Sequence, residues 1–416
     1  MRVLISGGGT GGHVYPALAV VEQLASQAPQ AVPVPAGQRE QQVAAPLAET
    51  TELLWVGARD GMEQTLVKHA GIAYHGIATG QLRGKNPLTV AQNAGKMVAG
   101  FLESRTVVRR FRPDVCLATG GYVCAPVVAA CRLQGVPVMI YLPDMVPGWA
   151  IRALSYLAQR VAVTFPEVAS YFGGLYPTGK SVVTGYPVRQ DLVDIVGGGN
   201  LVASDHLQRR RTARHTLAQA LQRPLHAQSE TAAALPLILV WGGSQGSLNI
   251  NNATWQVLPA LLPHAHILHV VGNRDWAMWQ ERMQTPPVAA ALWQRYHPVA
   301  YLHEAMTMAL AAADLTVARA GASTLGEFPV ARLPAVLVPH PGVNQLQNAE
   351  YLVNHGCAVL IKDGALQAQL APVLLDLLHD DKKRRRMEER LWALAQPEAA
   401  RQIAVALQTL SLQTIL

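Results

Sequence analysis

The feature that most restricts this chain occurs twice: an apolar strand that runs into a glycine-rich turn and then into a helix. Near the start, Val3-Leu4-Ile5 leads to Gly7-Gly8-Gly9-Thr10-Gly11-Gly12-His13, and a helix pattern follows with Pro16 near its first turn and Leu18, Val21 and Leu24 at helical spacing. The same order restarts at Leu237-Ile238-Leu239-Val240-Trp241, with Gly242-Gly243-Ser244-Gln245-Gly246-Ser247 as the turn and a helix from Leu248. A strand whose helix crosses over to the next strand builds a parallel sheet, so two such starts predict two Rossmann-like α/β domains. Further strands are expected at Leu53–Val56, Val115–Ala118, Val136–Leu142, Leu315–Ala318 and Ala335–Val338.

The 416 residues suit two domains, and with 50% hydrophobic and 15% charged residues both can bury a core. The expected limits are residues 1–195 for the first domain and 237–397 for the second. Residues 196–236, with Gly197-Gly198-Gly199 and the basic cluster Arg209-Arg210-Arg211, read as an extended linker with some helix. Residues 28–51 read as a loop insertion. Cys116, Cys124, Cys131 and Cys357 form no CxxC pair, which points to neither a zinc site nor a disulfide framework. Met1 leads straight into a strand, and no run of about 18 apolar residues is present, so neither a signal peptide nor a membrane span is expected. The net charge of +7 favours an anionic partner. Basic runs interleaved with aromatics are missing, which argues against nucleic acid.

A glycine-rich turn feeding a helix gathers backbone N–H groups and the helix dipole at one point, where an anion sits well. Four turns have this form: Gly7 to Gly12, Gly120-Gly121, Gly242 to Gly246, and Arg319-Ala320-Gly321-Ala322-Ser323-Thr324. Together they imply either one ligand with several phosphates or two phosphorylated ligands. The first turn lacks a Walker lysine, and no acidic residue closes the strand at Trp55-Val56, so a P-loop NTPase and a nicotinamide oxidoreductase are both disfavoured.

The run Ile5-Ser6-Gly7-Gly8-Gly9-Thr10-Gly11-Gly12-His13-Val14-Tyr15-Pro16-Ala17-Leu18-Ala19 resembles the N-terminal signature of the MurG family, glycosyltransferase family 28. The likeness continues through Gly57 to Gly71 (with Met62-Glu63), Leu82-Arg83-Gly84-Lys85, Pro113-Asp114-Val115, Gly120-Gly121-Tyr122-Val123, Gly185-Tyr186-Pro187-Val188-Arg189, Gly242 to Ser247, Arg319 to Glu327, Asn344-Gln345 and Asn348-Ala349. It implies a GT-B architecture: two Rossmann-like domains facing across a cleft, the acceptor on the first and the donor on the second, with a last helix at 398–416 returning to the first domain. The implied reaction is inverting transfer of N-acetylglucosamine from UDP-GlcNAc to the MurNAc 4-hydroxyl of lipid I, giving lipid II, at the cytoplasmic face of the membrane and without a cofactor.

The resemblance also assigns roles. Glu327 would bind ribose hydroxyls, with Ala322, Ser323, Thr324, Leu325 and Gly326 wrapping the nucleotide beside it. Ser244 and Arg189 would meet the UDP portion, where a guanidinium can offset charge on the leaving diphosphate. His303 falls near the uracil, and Gln345 and Asn348 would read sugar hydroxyls. Thr10, Gly11 and Gly12 would meet diphosphate and sugar, and His13 is either the base for the attacking hydroxyl or a histidine that braces the loop. No Asp-x-Asp triplet is present, so no strict need for a divalent ion is expected.

In one place the sequence departs from the family. Where the family carries His-Glu-Gln-Asn after its strand, this chain has Tyr141-Leu142-Pro143-Asp144. Either Asp144 takes over the carboxylate role, or the acceptor is another lipid. Leu88, Ala91, Ala94, Val98, Phe101 and Leu102 form an apolar stripe among Lys85, Lys96, Arg105, Arg109, Arg110 and Arg112. That stripe either docks on anionic lipid or faces a core. The rival functions are a UDP-GlcNAc 2-epimerase-like isomerase and an inert nucleotide-sugar sensor.

Overall fold

The computed structural model describes residues 1–26, 51–80, 87–172, 180–198, 203–225, 235–243, 246–343 and 345–413. The chain divides into two compact units. The first contains residues 1–143, 147–187 and the segment from 398 onward; the second contains 144–146 and 188–397.

The first unit is built on seven parallel strands: β1 (Arg2–Gly7), β2 (Glu52–Ala58), β3 (Ala73–Ile77), β4 (Val115–Gly120), β5 (Val138–Leu142), β6 (Arg160–Val163) and β7 (Ser181–Val183), in the order β3-β2-β1-β4-β5-β6-β7. The second has six: β8 (Leu237–Trp241), β9 (His266–Val270), β10 (Tyr296–Val299), β11 (Leu315–Ala318), β12 (Ala335–Leu337) and β13 (Ala358–Leu360), in the order β10-β9-β8-β11-β12-β13. Central strands such as β4 and β11 are buried at every residue. That is why they read as unbroken apolar runs: helices cover both faces of a parallel sheet.

Each sheet reverses its strand order once, between β1 and β4 and between β8 and β11. At such a point the loops leaving the carboxyl ends of adjacent strands part company, and the crevice they leave is the usual ligand site of open α/β sheets. The four glycine-rich turns of the sequence are the four loops that flank these two points. Sterics explain the glycines. A Cβ on Gly7 would lie 2.1 Å from Thr119 Oγ1, and one on Gly246 (φ +75°) would lie 2.4 Å from the Val271 carbonyl oxygen.

The described part of 196–236 is packed rather than extended. The helix Ala203–Leu221 belongs to the second unit and buries Arg210 and Arg214. Arg210 pairs with Asp314 (3.3 Å) and Glu388 (2.7 Å); Arg214 pairs with Asp314 and donates to the Ala312 carbonyl at 2.9 Å. Asp314 also accepts the Leu237 amide at 2.7 Å, so the helix braces the start of β8 and β11. The second core holds a directed polar chain. Trp279 Nε1 donates to Tyr296 Oη (2.8 Å), which meets His269 Nδ1 (2.8 Å), and His269 Nε2 meets Asn251 Oδ1 (3.0 Å).

In the first unit the helix Ala399–Leu412 buries Ile403, Ala404, Leu407 and Leu410 and packs on the helix Gly11–Ser26. The long helix Pro87–Phe111 buries Asn93, Gly100, Ser104, Val107 and Val108. The apolar stripe noted in the sequence lies on its other side: Leu88, Val98 and Leu102 are 71%, 63% and 55% exposed, and Phe101 is half-buried. The stripe therefore does not face this unit's core. Lys85 lies outside the described residues. No helix among the described residues is long and apolar enough to cross a membrane.

Candidate active site

In the first unit, β1 ends against the loop Gly8–Thr10, and the helix Gly11–Ser26 begins at once. Thr10 is exposed, while Gly11, Gly12 and His13 are half-buried. The His13 ring is held at several points. Its Nδ1 lies 3.1 Å from the Gly8 carbonyl oxygen and 3.3 Å from Thr10 Oγ1, and its own carbonyl accepts from Thr119 Oγ1 at 2.5 Å. A carbonyl can only accept, so the proton of a neutral imidazole sits on Nδ1 and the lone pair on Nε2. The ring packs against Gly120, whose φ is +117° and where a Cβ would lie 2.8 Å from His13 Cδ2. Glycine is required there twice over, for conformation and for room.

The altered segment accounts for itself. Tyr141 is 1% exposed, and its hydroxyl reaches Thr164 Oγ1 (3.3 Å) and the Gly185 carbonyl (3.4 Å). It is a core tyrosine, and Leu142 and Pro143 are buried beside it. Asp144 begins the short piece that belongs to the second unit. Its Oδ1 accepts from Asn348 Nδ2 at 2.9 Å, while Asn348 Oδ1 accepts the Met145 amide at 3.0 Å and Asn348 Nδ2 also lies 3.2 Å from the Ala320 carbonyl. Asn348 is thus fully buried and bonded at both ends of its amide, so it fixes Asp144 instead of standing open to a sugar. Gln345 caps the helix Leu346–Asn354 and accepts the His340 amide through Oε1 at 2.9 Å.

Glu327 lies in the first turn of the helix Thr324–Ala331. Burial pushes its carboxyl up; Arg189 and a hydrogen bond from Ser323 pull it back, Asp191 adds to the rise, and the net direction is upward. Arg189 caps the helix Gln190–Val196, and this electrostatic coupling brings together two residues that the sequence separates widely. Ala322, Ser323, Thr324, Leu325 and Gly326 form the turn that opens the Glu327 helix, tied by Thr324 Oγ1 to the Gly321 carbonyl at 2.7 Å. His303 is exposed at φ +45°, its ring 4.7 Å from that of Tyr301, in the loop after β10. Ser244 and Asn344 lie outside the described residues.

Sequence reasoning missed the brace beneath these loops. Arg319 Nη1 donates to Asp363 at 2.5 Å and to the Val338 carbonyl at 3.1 Å, and Nη2 donates to Ser247 Oγ at 2.7 Å. Asn249 Nδ2 donates to the other Asp363 oxygen at 2.5 Å. Burial alone would raise the Asp363 carboxyl, but the bonds from Arg319 and Asn249 outweigh it and hold the group below its usual range. One carboxylate so ties the loops after β8, β11 and β13. No local pattern marks Asp363.

Sheet order, switch-point loops and two-unit organisation define a GT-B-type α/β protein. A model of the glycosyltransferase family 28 N-terminal domain matches residues 3–46 and 43–163, and one of the family 28 C-terminal domain matches residues 237–403; the chain belongs to glycosyltransferase family 28. The UDP-N-acetylglucosamine--N-acetylmuramyl-(pentapeptide) pyrophosphoryl-undecaprenol N-acetylglucosamine transferase of Roseiflexus sp. is 39% identical, over 99% of this chain and 95% of the relative. The protein of the same name from Desulfitobacterium hafniense strain Y51 is 34% identical over 97% of both chains. Among solved structures, MurG of Acinetobacter baumannii is similar with a TM-score of 0.65 and 23% identity, over 98% of this chain and 99% of that one. UDP-GlcNAc 2-epimerase of Neisseria meningitidis, bound to UDP-GlcNAc, gives the same TM-score at 13% identity, over 98% of this chain and 100% of that one. The fold alone therefore does not separate transferase from epimerase.

Proposed function

We propose that this chain transfers N-acetylglucosamine from UDP-GlcNAc to the MurNAc 4-hydroxyl of lipid I, undecaprenyl-diphospho-MurNAc-pentapeptide, with inversion, forming lipid II for peptidoglycan. The observation that carries this reading is the 39% identity to a transferase so named, across nearly the whole of both chains.

The chemistry follows from the loops. His13 acts as the base: its Nε2 takes the proton from the acceptor hydroxyl while Nδ1–H stays on the Gly8 carbonyl. The attacking oxygen displaces UDP from the anomeric carbon in one step, which inverts that centre. Charge developing on the departing diphosphate is met by Arg189, by Ser244 and by the helix N-termini at the β8 and β11 loops. Glu327 accepts hydrogen bonds from the ribose hydroxyls, the turn Ala322–Gly326 encloses the nucleotide, His303 flanks the uracil, and Gln345 lies at the sugar. Thr10, Gly11 and Gly12 meet the diphosphate and the sugar. Asp144, fixed by Asn348, supplies the carboxylate that the sequence lacks at Tyr141-Leu142.

Helix Pro87–Phe111 docks peripherally on anionic lipid at the cytoplasmic face. Its exposed Leu88, Val98 and Leu102 enter the interface, and Lys96, Arg105, Arg109 and Arg110 contribute about 1 kcal/mol each near the surface.

UDP release from UDP-GlcNAc, measured with and without a lipid I analogue, tests the reading. Release that depends on the analogue and yields a GlcNAc-extended product is expected. An epimer or UDP formed without any lipid would establish the isomerase instead. Binding of UDP-GlcNAc with no transfer to lipid I would place the error in the acceptor.

A further inference from the structure

A buried carboxylate that this reaction scheme does not use lies directly beneath the His13 loop. Glu63 opens the helix Glu63–His69 and is 0% exposed. Its Oε1 accepts the Ala58 amide at 2.9 Å and its Oε2 accepts the Gly9 amide at 3.3 Å. Two glycines make room for it: a Cβ on Gly8 would lie 2.5 Å from Glu63 Cδ, and one on Gly61 would lie 2.2 Å from Oε1. Tyr74 stands alongside, its hydroxyl donating to the Ala58 carbonyl at 2.5 Å, and burial together with the Glu63 charge raises that phenol.

The Gly9 N–H and the Gly8 C=O are the two ends of one peptide group. One end is held by Glu63, and the other accepts His13 Nδ1 at 3.1 Å. In a planar trans peptide these bonds point opposite ways, so the order Glu63 carboxylate, Gly8–Gly9 peptide, His13 imidazole is a single hydrogen-bonded line. A peptide between two glycines, with Gly9 at φ +83°, is otherwise among the easiest in a chain to turn over. Gly121 closes on the same carbonyl, for a Cβ there would lie 2.4 Å from the Gly8 oxygen.

We propose that Glu63 is a positioning residue for His13, acting through the Gly8–Gly9 peptide. The carboxylate prevents the peptide from turning over and polarises it, which makes the Gly8 oxygen a stronger acceptor for Nδ1–H and keeps the lone pair on Nε2. The proposal rests on His13 being the base of the transfer, and its test separates the two.

Glu63→Gln preserves shape but sets an NH2 against one of two amide donors. In the full chain it is expected to lower kcat for transfer to a lipid I analogue at least 10-fold with KM for UDP-GlcNAc within 2-fold. The ¹⁵N NMR signals of His13 should change from the Nδ1–H form to a mixture of tautomers. Glu63→Asp, which still carries the charge, should recover part of both. An unchanged thermal midpoint shows that the variant folds. A folded Glu63→Gln enzyme with its tautomer and kcat unaltered overturns the proposal, as does a fall in kcat with an unaltered tautomer. If His13→Gln retains turnover while Glu63→Gln still mixes the tautomers, the peptide relay stands and the base assignment fails.

Discussion

Asn348 Nδ2 donates to Asp144 Oδ1 at 2.9 Å, and the same carboxamide accepts the Met145 amide through Oδ1 at 3.0 Å. An amide bonded at both ends fixes its own orientation and with it the carboxylate that follows the altered Tyr141-Leu142-Pro143 segment. Asp144→Asn retains an acceptor for Asn348, so the fold should survive while kcat on lipid I falls about 10²-fold, the usual scale for a group that handles a proton. Steady-state kinetics decide this, and undiminished turnover would remove Asp144 from the chemistry.

The ribose contact proposed for Glu327, whose carboxyl burial raises, predicts a pH dependence of donor binding. Only an ionised carboxylate could accept from both ribose hydroxyls, and burial makes this one protonate at a higher pH than an ordinary glutamate. KM for UDP-GlcNAc should therefore rise as the pH falls toward the carboxylate range, and Glu327→Gln should raise it about 10-fold at neutral pH and flatten that trend. A flat wild-type profile would speak against a ribose contact.

In the proposed reaction the Arg189 guanidinium offsets the diphosphate charge that a clamped metal ion offsets elsewhere. Arg189→Met should lower kcat about 10²-fold, the loss of one strong charge-assisted contact in the transition state, whereas EDTA should leave the wild-type rate unchanged. A rate abolished by chelator and restored by a divalent ion would refute the second half of this expectation.

Three buried histidines of the second unit set its acid limit. Burial lowers His206, His269 and His297 to about 3, with Arg210 adding to the effect at His206 and His266 at His297. In the unfolded chain each takes its proton near 6.5. The unfolded state thus binds more protons between these limits, so stability is complete above about pH 6.5 and is lost as the pH falls toward 3. The urea midpoint should drop markedly between pH 7 and pH 5; a constant midpoint would contradict it.

Val98→Asp with Leu102→Asp places charge on the exposed face of helix Pro87–Phe111 and touches no core. Co-sedimentation with anionic vesicles should fall about 10-fold or more, with transfer to a water-soluble acceptor unaffected. Equal sedimentation of both proteins would leave the stripe without a membrane role.

The parts of this molecule that were legible in the sequence are those governed by local rules. Strand, glycine turn and helix in succession identify both switch points because the turns cannot be built from other residues, as Gly7, Gly120 and Gly246 show. The hidden parts depend on partners far along the chain. Glu63 serves Gly9 across 54 residues and Arg319 serves Asp363 across 44, and neither separation leaves a periodic trace. The helix Ala203–Leu221 is the opposite kind of omission. Its inward positions include His206, Arg210 and Arg214, so a face that packs through ion pairs reads as a solvated, linker-like run. Asn348, for which the resemblance implies a sugar contact, is wholly buried and bonded to Asp144 and Met145, a placement set by partners about 200 residues away that leave no local trace.

The helix Ala399–Leu412 completes the layer over Gly11–Ser26, more than 370 residues after that helix is made. On the ribosome the second unit can finish its core while the first still lacks a wall. The helix Gly11–Ser26, which opens at the His13 loop, is covered on that side only once Ala399–Leu412 has been made. Order of synthesis and order of completion are thereby reversed: the unit that begins first closes its core only after the second unit's strands have all been made.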